Sequence, residues 1–168
     1  MLKTFIRHPL TDIILFADQI GQGLVITGVS FGFKEKKAGT VARESNNPLL
    51  KEYGRMVKGF LEGAIHSLDT IPIDLAWCTP FQKSVLDAAR TVPWGCVVSY
   101  GDLGVMAGYP GASRAAASVM RRNRFPLIVP CHRVIAAGFR IGGFMGSTSG
   151  APIRLKQKLL GNEGVIIF

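Results

Sequence analysis

The residues with the most chemistry stand together in one run, Val129-Pro130-Cys131-His132-Arg133-Val134-Ile135. A thiol followed directly by an imidazole and a guanidinium has neighbours that favour the thiolate, the nucleophilic form of cysteine. Such a thiolate suits group transfer, or hydrolysis of an ester or peptide. The bland reading is a packing residue, since an isolated cysteine is most often a small buried hydrophobe. In an extended strand Cys131 and His132 would also point to opposite faces. They cooperate only through a bridging water or on a chain that is not extended. The remaining cysteines and histidines, Cys78, Cys96, His8 and His66, are scattered. They lack the paired spacings of a structural zinc site, so no metal is expected. An odd number of unpaired cysteines argues against a disulfide framework and for a reducing compartment. Cys78 and Cys96 read as packing residues, and His66 as a surface or packing histidine.

Charge narrows the partner. The net charge is +9, and it is one-sided: residues 1–84 carry ten Lys/Arg against eight Asp/Glu, whereas residues 85–168 carry ten against three. Residues 103–162 contain no carboxylate and nine basic side chains, Arg114, Arg121, Arg122, Arg124, Arg133, Arg140, Arg154, Lys156 and Lys158. A polyanion is the natural partner of such a stretch.

The chain must supply elements that hold these groups in place. At 168 residues it is long enough for one domain, or two small ones, with a real core. A composition that is 48% hydrophobic and 18% charged excludes general disorder. The longest apolar runs, such as 13–17 and 127–130, fall far short of the roughly 18 residues of a membrane span. Lys3 and Arg7 precede an apolar stretch bracketed by Asp12 and Asp18, with no small-residue cleavage site, so no signal peptide is expected. The expected location is cytoplasmic, or nuclear in a eukaryote.

Residues 1–76 read as a small α+β unit. Residues 24–33 have the β-branched, Gly-punctuated look of a hairpin strand, and the polar stretch 34–46 reads as a mobile connection. Asn47 and Pro48 open a helix in which Leu49, Leu50, Tyr53, Met56, Val57, Phe60, Leu61 and Ile65 recur at helical spacing. Residues 71–75 read as a short edge strand.

Residues 77–168 are denser in helix signals. Thr79-Pro80 starts a helix that Pro93 stops. Ser99 and Asp102 form a capping box for a short helix closed by Gly108, and a third helix runs from about Ala112 to Arg122. Two helices across a Gly-containing turn predict a helix-turn-helix. The third helix is nearly bare, with Ala112, Ser113, Ala115, Ala116, Ala117 and Ser118 around Arg114. Small residues permit tight packing on a neighbour. They also slim a helix enough to press on a minor groove only about 6 Å wide.

Residues 79–164 resemble the C-terminal domain of the O6-alkylguanine-DNA alkyltransferases, the methylated-DNA–protein-cysteine methyltransferases. The resemblance runs through Thr79-Pro80-Phe81-Gln82, Val92-Pro93-x-Gly95, Ser99-Tyr100, Gly108-x-Pro110, Ser113-Arg114-Ala115, Asn123, Pro130-Cys131-His132-Arg133-Val134 and Leu159-Leu160-x-x-Glu163-Gly164. It implies an α+β protein, with a ribonuclease H-like N-terminal unit followed by a mostly helical, winged-helix-like domain. The implied activity is DNA repair by direct reversal: one irreversible transfer of the alkyl group from O6-alkylguanine, or O4-alkylthymine, to Cys131, without a cofactor. The implied partner is duplex DNA carrying the lesion, met by a monomer.

The resemblance also implies roles. His132 deprotonates Cys131 through a water and Glu163 orients the imidazole, by the logic of a triad. Tyr100 donates to the leaving guanine, as does the Met145 amide, while the Cys131 and Val134 carbonyls accept from its exocyclic amine. Met120, Val134, Phe144 and Met145 join Tyr100 in the base pocket. Arg114 is the finger that fills the space of a flipped base, since a base inside the stack is out of reach. Ser113, Ala115, Ala117, Ser118, Arg121 and Arg122 lie at the DNA, and Asn123 ties the helix end to the cysteine strand.

Several positions depart from the family pattern. Phe144 stands where many members have tyrosine, 146–152 is longer than the shortest versions, and Ala117 and Ser118 replace glycines of some relatives. Three rivals remain. A non-catalytic sensor of alkylated DNA has no use for Cys131, a transcription regulator would show long polar side chains on its recognition helix, and a thiol hydrolase would turn over without DNA.

Overall fold

The computed structural model describes residues 1–32 and 44–167, and the chain divides into two compact units, Met1–Asp74 and Leu75–Phe168. The connection expected over 34–46 lies, up to residue 43, outside the described residues.

The first unit is an antiparallel sheet with a helix on one face. Strands β1 (Leu2–Ile6), β2 (Ile13–Ile20) and β3 (Gly23–Phe31) pair in sequence order, with a bulge in β2 at Phe16/Ala17. The central strand buries Ile13, Ile14, Leu15 and Ala17 almost completely. Helix α1 (Pro48–Leu61) begins as its sequence dictates: the Asn47 side chain accepts from the Leu49 and Leu50 amides, and Pro48 takes the first turn, where no amide is needed. Its buried stripe of Leu50, Tyr53, Val57, Phe60 and Leu61 faces the sheet. At Gly54 the helix lies close to β1, where a methyl would make ordinary contacts with Thr4 and Ile6 at 3.5 and 3.6 Å. The edge strand expected over 71–75 shrinks to one bridge, in which Ile26 donates to Pro72 and accepts from Asp74. Pro72 has no amide to extend the ladder.

In the second unit, capping boxes start two helices. Thr79 and Gln82 cap α2 (Pro80–Arg90), and Ser99 and Asp102 cap α3 (Tyr100–Met106). Helix α4 (Ser113–Arg121) follows a turn in which Gly108 and Gly111 hold φ of 85° and 83°, which side chains disfavour. Gly104 allows the close return, because a methyl on it would lie 3.1 Å from the Tyr109 carbonyl. Phe81 pins the turn by meeting Tyr109 edge to face at 4.8 Å. A strand of two residues, β4 (Val98–Ser99), pairs in parallel with β5 (Val134–Ile135). Helix α5 (Gly150–Asn162) closes the unit and buries Leu155, Lys156, Leu159 and Leu160. Among the described residues no helix is long and apolar enough to cross a membrane.

Candidate active site

Cys131 opens a single 3-10 turn, Cys131–Arg133, entered from Pro130 and leading directly into β5. The Cys131 amide bonds to Val129 at 2.7 Å and the Arg133 amide to Pro130 at 2.9 Å. The chain is therefore not extended here, and the three side chains fan out instead of alternating between faces. Cys131 is 4% exposed and His132 is wholly buried, with Nε2 at 2.7 Å from Glu163 Oε1 at the C-cap of α5.

Arg133 corrects the expectation that its guanidinium serves the thiol. It donates through Nε and a terminal nitrogen to both Glu163 oxygens at 2.9 to 3.1 Å, and through its other terminal nitrogen to the Val92 carbonyl at 2.7 Å. The Gly95 amide adds a donor to Glu163 at 3.2 Å, and the Trp94 ring lies 5.8 Å from the guanidinium carbon. Charge-assisted, two-point pairing of this kind is a strong and directional contact. The guanidinium thus acts on the carboxylate behind the histidine.

Burial pushes the Glu163 carboxyl up, but the hydrogen bonds and charges of His132 and Arg133 prevail and hold it below the usual carboxylate range. Burial pushes His132 down, aided by Arg133 and Lys156 and opposed by Glu163, so the imidazole is neutral. A neutral ring that donates from Nε2 to a carboxylate carries its lone pair on Nδ1, the atom that can receive a proton. Both shifts give stability the same sign. His132, lowered in the fold, loses stability as pH falls below its unfolded value of about 6.5, and Glu163, also lowered, loses it as pH falls below about 4.3. Denaturant melts are expected to show stability falling in two stages between pH 7 and 3, with the first stage absent in His132→Phe.

Cys131 lines a cavity of about 280 Å³. Tyr100 and Met120 form its wall with Ala117 and Arg121, and Phe144 to Thr148 form its rim. The rim is a two-residue turn: Phe144 and Ser147 exchange hydrogen bonds of 2.8 and 3.0 Å across Met145 and Gly146, both at positive φ. Of the expected base-pocket residues, Tyr100, Met120, Phe144 and Met145 line the cavity. Val134 does not; it is fully buried, and its carbonyl already accepts from Lys156 at 2.6 Å, leaving one lone pair. The Tyr100 hydroxyl reaches the Gly143 carbonyl at 3.4 Å. Burial and the charge of Cys131 raise its pKa against that contact, so it stays a donor.

Asn123 donates to the Val129 carbonyl at 3.2 Å and accepts from the Phe125 amide at 2.9 Å, joining the end of α4 to the segment before the cysteine. On α4, Ala116, Val119 and Met120 are buried, while Ser113, Arg114 and Ala115, with Arg121 and the capping residue Arg122, are exposed. Ala117 and Ser118 are half-buried, and Ala117 and Arg121 reach the cavity. Ala115, Ser118 and Arg122 border a hollow of about 270 Å³ shared with Thr79, Phe81 and Gln82. Cys96, expected to pack, is exposed, and Cys78 is half-buried.

Sequence reasoning missed Lys156, counted there as one more surface cation. The signal was present: Lys156 and Glu163 are seven residues apart on the stripe of Leu155, Leu159 and Leu160, so both lie on the apolar face of α5.

Known proteins resemble this chain in sequence and in fold. The family model described as 6-O-methylguanine DNA methyltransferase, DNA binding domain, matches residues 80–165. The methylated-DNA–protein-cysteine methyltransferase of Methanothermobacter thermautotrophicus is 33% identical over 162 residues, 95% of this chain and 84% of the relative. The chain belongs to this methyltransferase family. The family's Methanosarcina acetivorans member is likewise 33% identical, over 98% of this chain and 99% of its own. Among solved structures, Mycobacterium tuberculosis OGT in complex with DNA superposes with a TM-score of 0.78 at 28% identity, covering 98% of this chain and 93% of the other. The archaeal O6-methylguanine-DNA methyltransferase of Pyrococcus kodakaraensis, 24% identical, covering 98% of this chain and 99% of its own, shares the fold with a TM-score of 0.69.

Proposed function

We propose that this protein repairs duplex DNA by moving the alkyl group of O6-alkylguanine onto Cys131, acting as a methylated-DNA–protein-cysteine S-methyltransferase that works once per molecule. The observation that carries the reading is an acceptor thiol opening onto a base-sized cavity with the buried His132–Glu163 pair behind it. His132 takes the thiol proton at Nδ1 through a water, and Glu163, held ionised by Arg133, supports the charge that the ring acquires. The thiolate attacks the alkyl carbon in line; the S–C bond forms as the C–O6 bond breaks, and guanine leaves with the electron pair. Tyr100 and the Met145 amide donate to the charge developing on the base. The Cys131 carbonyl accepts from the exocyclic amine, which distinguishes guanine from adenine. No cofactor enters the balance.

The base reaches the cavity only when flipped from the stack. The exposed, short-chained face of α4 suits the minor groove, with Ser113, Ala115, Ala117 and Ser118 near the DNA, Arg121 and Arg122 at phosphates and Arg114 in the vacated space. In this reading α3 and α4 are the helix-turn-helix of a winged-helix-like domain, residues 77–168, and residues 1–76 are a ribonuclease H-like support that carries none of the site's side chains. The protein works as a monomer in a reducing cytoplasm, or nucleus.

Incubation with an O6-methylguanine duplex is expected to add one methyl mass to the peptide carrying Cys131; an unmodified Cys131, or an adduct on Cys78, refutes the reading. Arg114→Ala is expected to slow duplex repair by about tenfold or more, because flipping costs a few kcal/mol, while reaction with free O6-benzylguanine stays within about twofold. Equal loss on both substrates would remove the finger from the account.

A further inference from the structure

Arg124 follows α4 at a point where the backbone is fixed on both sides. The Asn123 side chain accepts from the Phe125 amide at 2.9 Å and donates to the Val129 carbonyl at 3.2 Å, and Phe125 itself is fully buried. Between these anchors the Arg124 side chain is exposed, and its guanidinium carbon lies over the Trp77 ring, 5.1 Å from the centre. Trp77 is 40% exposed, in a turn closed by the Cys78 amide and the Leu75 carbonyl at 3.0 Å. Both residues belong to the second unit. Among the described residues no carboxylate pairs with Arg124, and contact with an aromatic face consumes none of the guanidinium's N–H donors.

The place of this pair gives it a partner. Two residues after Trp77 comes Thr79, and two residues before Arg124 comes Arg122; both line the hollow of about 270 Å³ that Ala115 and Ser118 also border. Ala115, Ser118 and Arg122 are residues proposed above to meet DNA. The pair therefore joins the two chain segments that lead away from that surface, and Arg124 lies within the stretch 103–162, which has no carboxylate to compete for it. An exposed arginine ordinarily loses rotamer freedom when a ligand orders it. One already held by an indole loses less, and its planar fork of donors matches a phosphate at two points.

We propose that Arg124 is a phosphate-contacting residue pre-positioned by Trp77, extending the DNA surface beyond the end of α4. The inference rests on duplex DNA as the partner in the reading above, and it concerns affinity, not the transfer itself. A phosphate contact carries no sequence information, so it serves damaged and undamaged duplex alike. The same geometry disfavours a base stacked on Trp77, because the guanidinium already occupies a face of the ring. Trp77 acts through Arg124 and is a positioning residue.

Fluorescence anisotropy of the full chain on an undamaged duplex, across a salt series, tests this. Arg124→Gln is expected to weaken binding about fivefold at about 100 mM salt and to flatten the slope of log affinity against log salt by about 0.9, the share of one phosphate. Arg124→Lys is expected to keep the slope and bind about twofold more weakly, because the charge stays and the fork is lost. Trp77→Ala is expected to weaken binding about threefold when Arg124 is present and not at all in Arg124→Gln. Trp77→Phe, which keeps a ring under the cation, is expected to fall between wild type and Trp77→Ala, and it carries the same comparison should Trp77→Ala fail to fold. An unchanged slope in Arg124→Gln overturns the phosphate contact. A loss on replacing Trp77 that is as large in Arg124→Gln as in the wild type shows the indole acting on bases or on the fold, and overturns the positioning. Wild-type protein is incubated in parallel with an O6-methylguanine duplex and weighed. A missing Cys131 adduct refutes alkyl transfer, whereas the salt slopes decide the phosphate contact whether or not the adduct forms.

Discussion

Cys131→Ala is expected to abolish alkyl transfer completely while binding alkylated duplex as the wild type does. In the proposed reaction the two outcomes separate, because the residue supplies the bond-forming atom but little of the surface that would meet DNA. Cys131 is 4% exposed at the floor of the cavity, whereas Ser113, Arg114, Ala115, Arg121 and Arg122 stand in solvent. Losing one sulfur from a buried site costs far less than the large-to-small truncations of about 2–5 kcal/mol seen in cores, so the variant folds. Mass spectrometry of the protein after exposure to an O6-methylguanine duplex reads the first effect and fluorescence anisotropy reads the second. Cys78→Ala and Cys96→Ala are the controls, and both are expected to react normally. Residual transfer in Cys131→Ala would place the acceptor elsewhere, and lost binding would show that the site shapes the DNA surface more than its geometry indicates.

The second large effect is expected from Arg133→Met, which leaves Glu163 buried with His132 and the Gly95 amide as its remaining named partners. Removing one partner from a buried ion pair typically costs about 3–5 kcal/mol, measurable as a shift of the denaturant midpoint. Chemistry is expected to suffer as well. Without the guanidinium, burial raises the Glu163 carboxyl, and a carboxylate that gains a proton no longer supports a charged imidazole. Loss of an effective general base slows such steps by about 100-fold or more. The acid limb of the rate profile is expected to move toward neutrality. Arg133→Lys keeps a charge but loses the two-point fork and the reach to Val92, so it is expected to fall between. A normal pH profile in a destabilised Arg133→Met would show that the arginine holds the fold alone.

Local signals in the sequence were easy to read, and distant ones were not. Asn47-Pro48, Thr79-Gln82 and Ser99-Asp102 announce helix starts because a cap satisfies amides within three residues of itself. The bare face of α4 was legible for the same reason. The conformation of Cys131 was not, since the turn is fixed partly by Glu163, more than thirty residues away, and by the pairing of β5 with β4. Two-residue strands leave no periodicity to detect. Arg133 and Lys156 were misread for a different reason: composition counts charges without saying which are buried, and these two face inward, one to a carboxylate and one to carbonyls. Cys96 failed in the opposite direction, a residue type that is usually interior placed in solvent.

The shortest element of the fold sets the scale of the molecule's work. Ser99 pairs with Ile135 in the parallel ladder and, as the same residue, caps α3, while β5 starts immediately after Arg133. Helix α3 and the Cys131 turn are therefore anchored to one pair of rungs, with no hinge long enough to act as a lever between them. A protein built this way measures by fixed calipers. In the proposed reaction the span from the outside of the duplex to the sulfur is set at folding, and the damaged nucleotide has to cover the whole of it. Lengthening the chain between Arg133 and Ile135 by even one residue would put the jaws out of true.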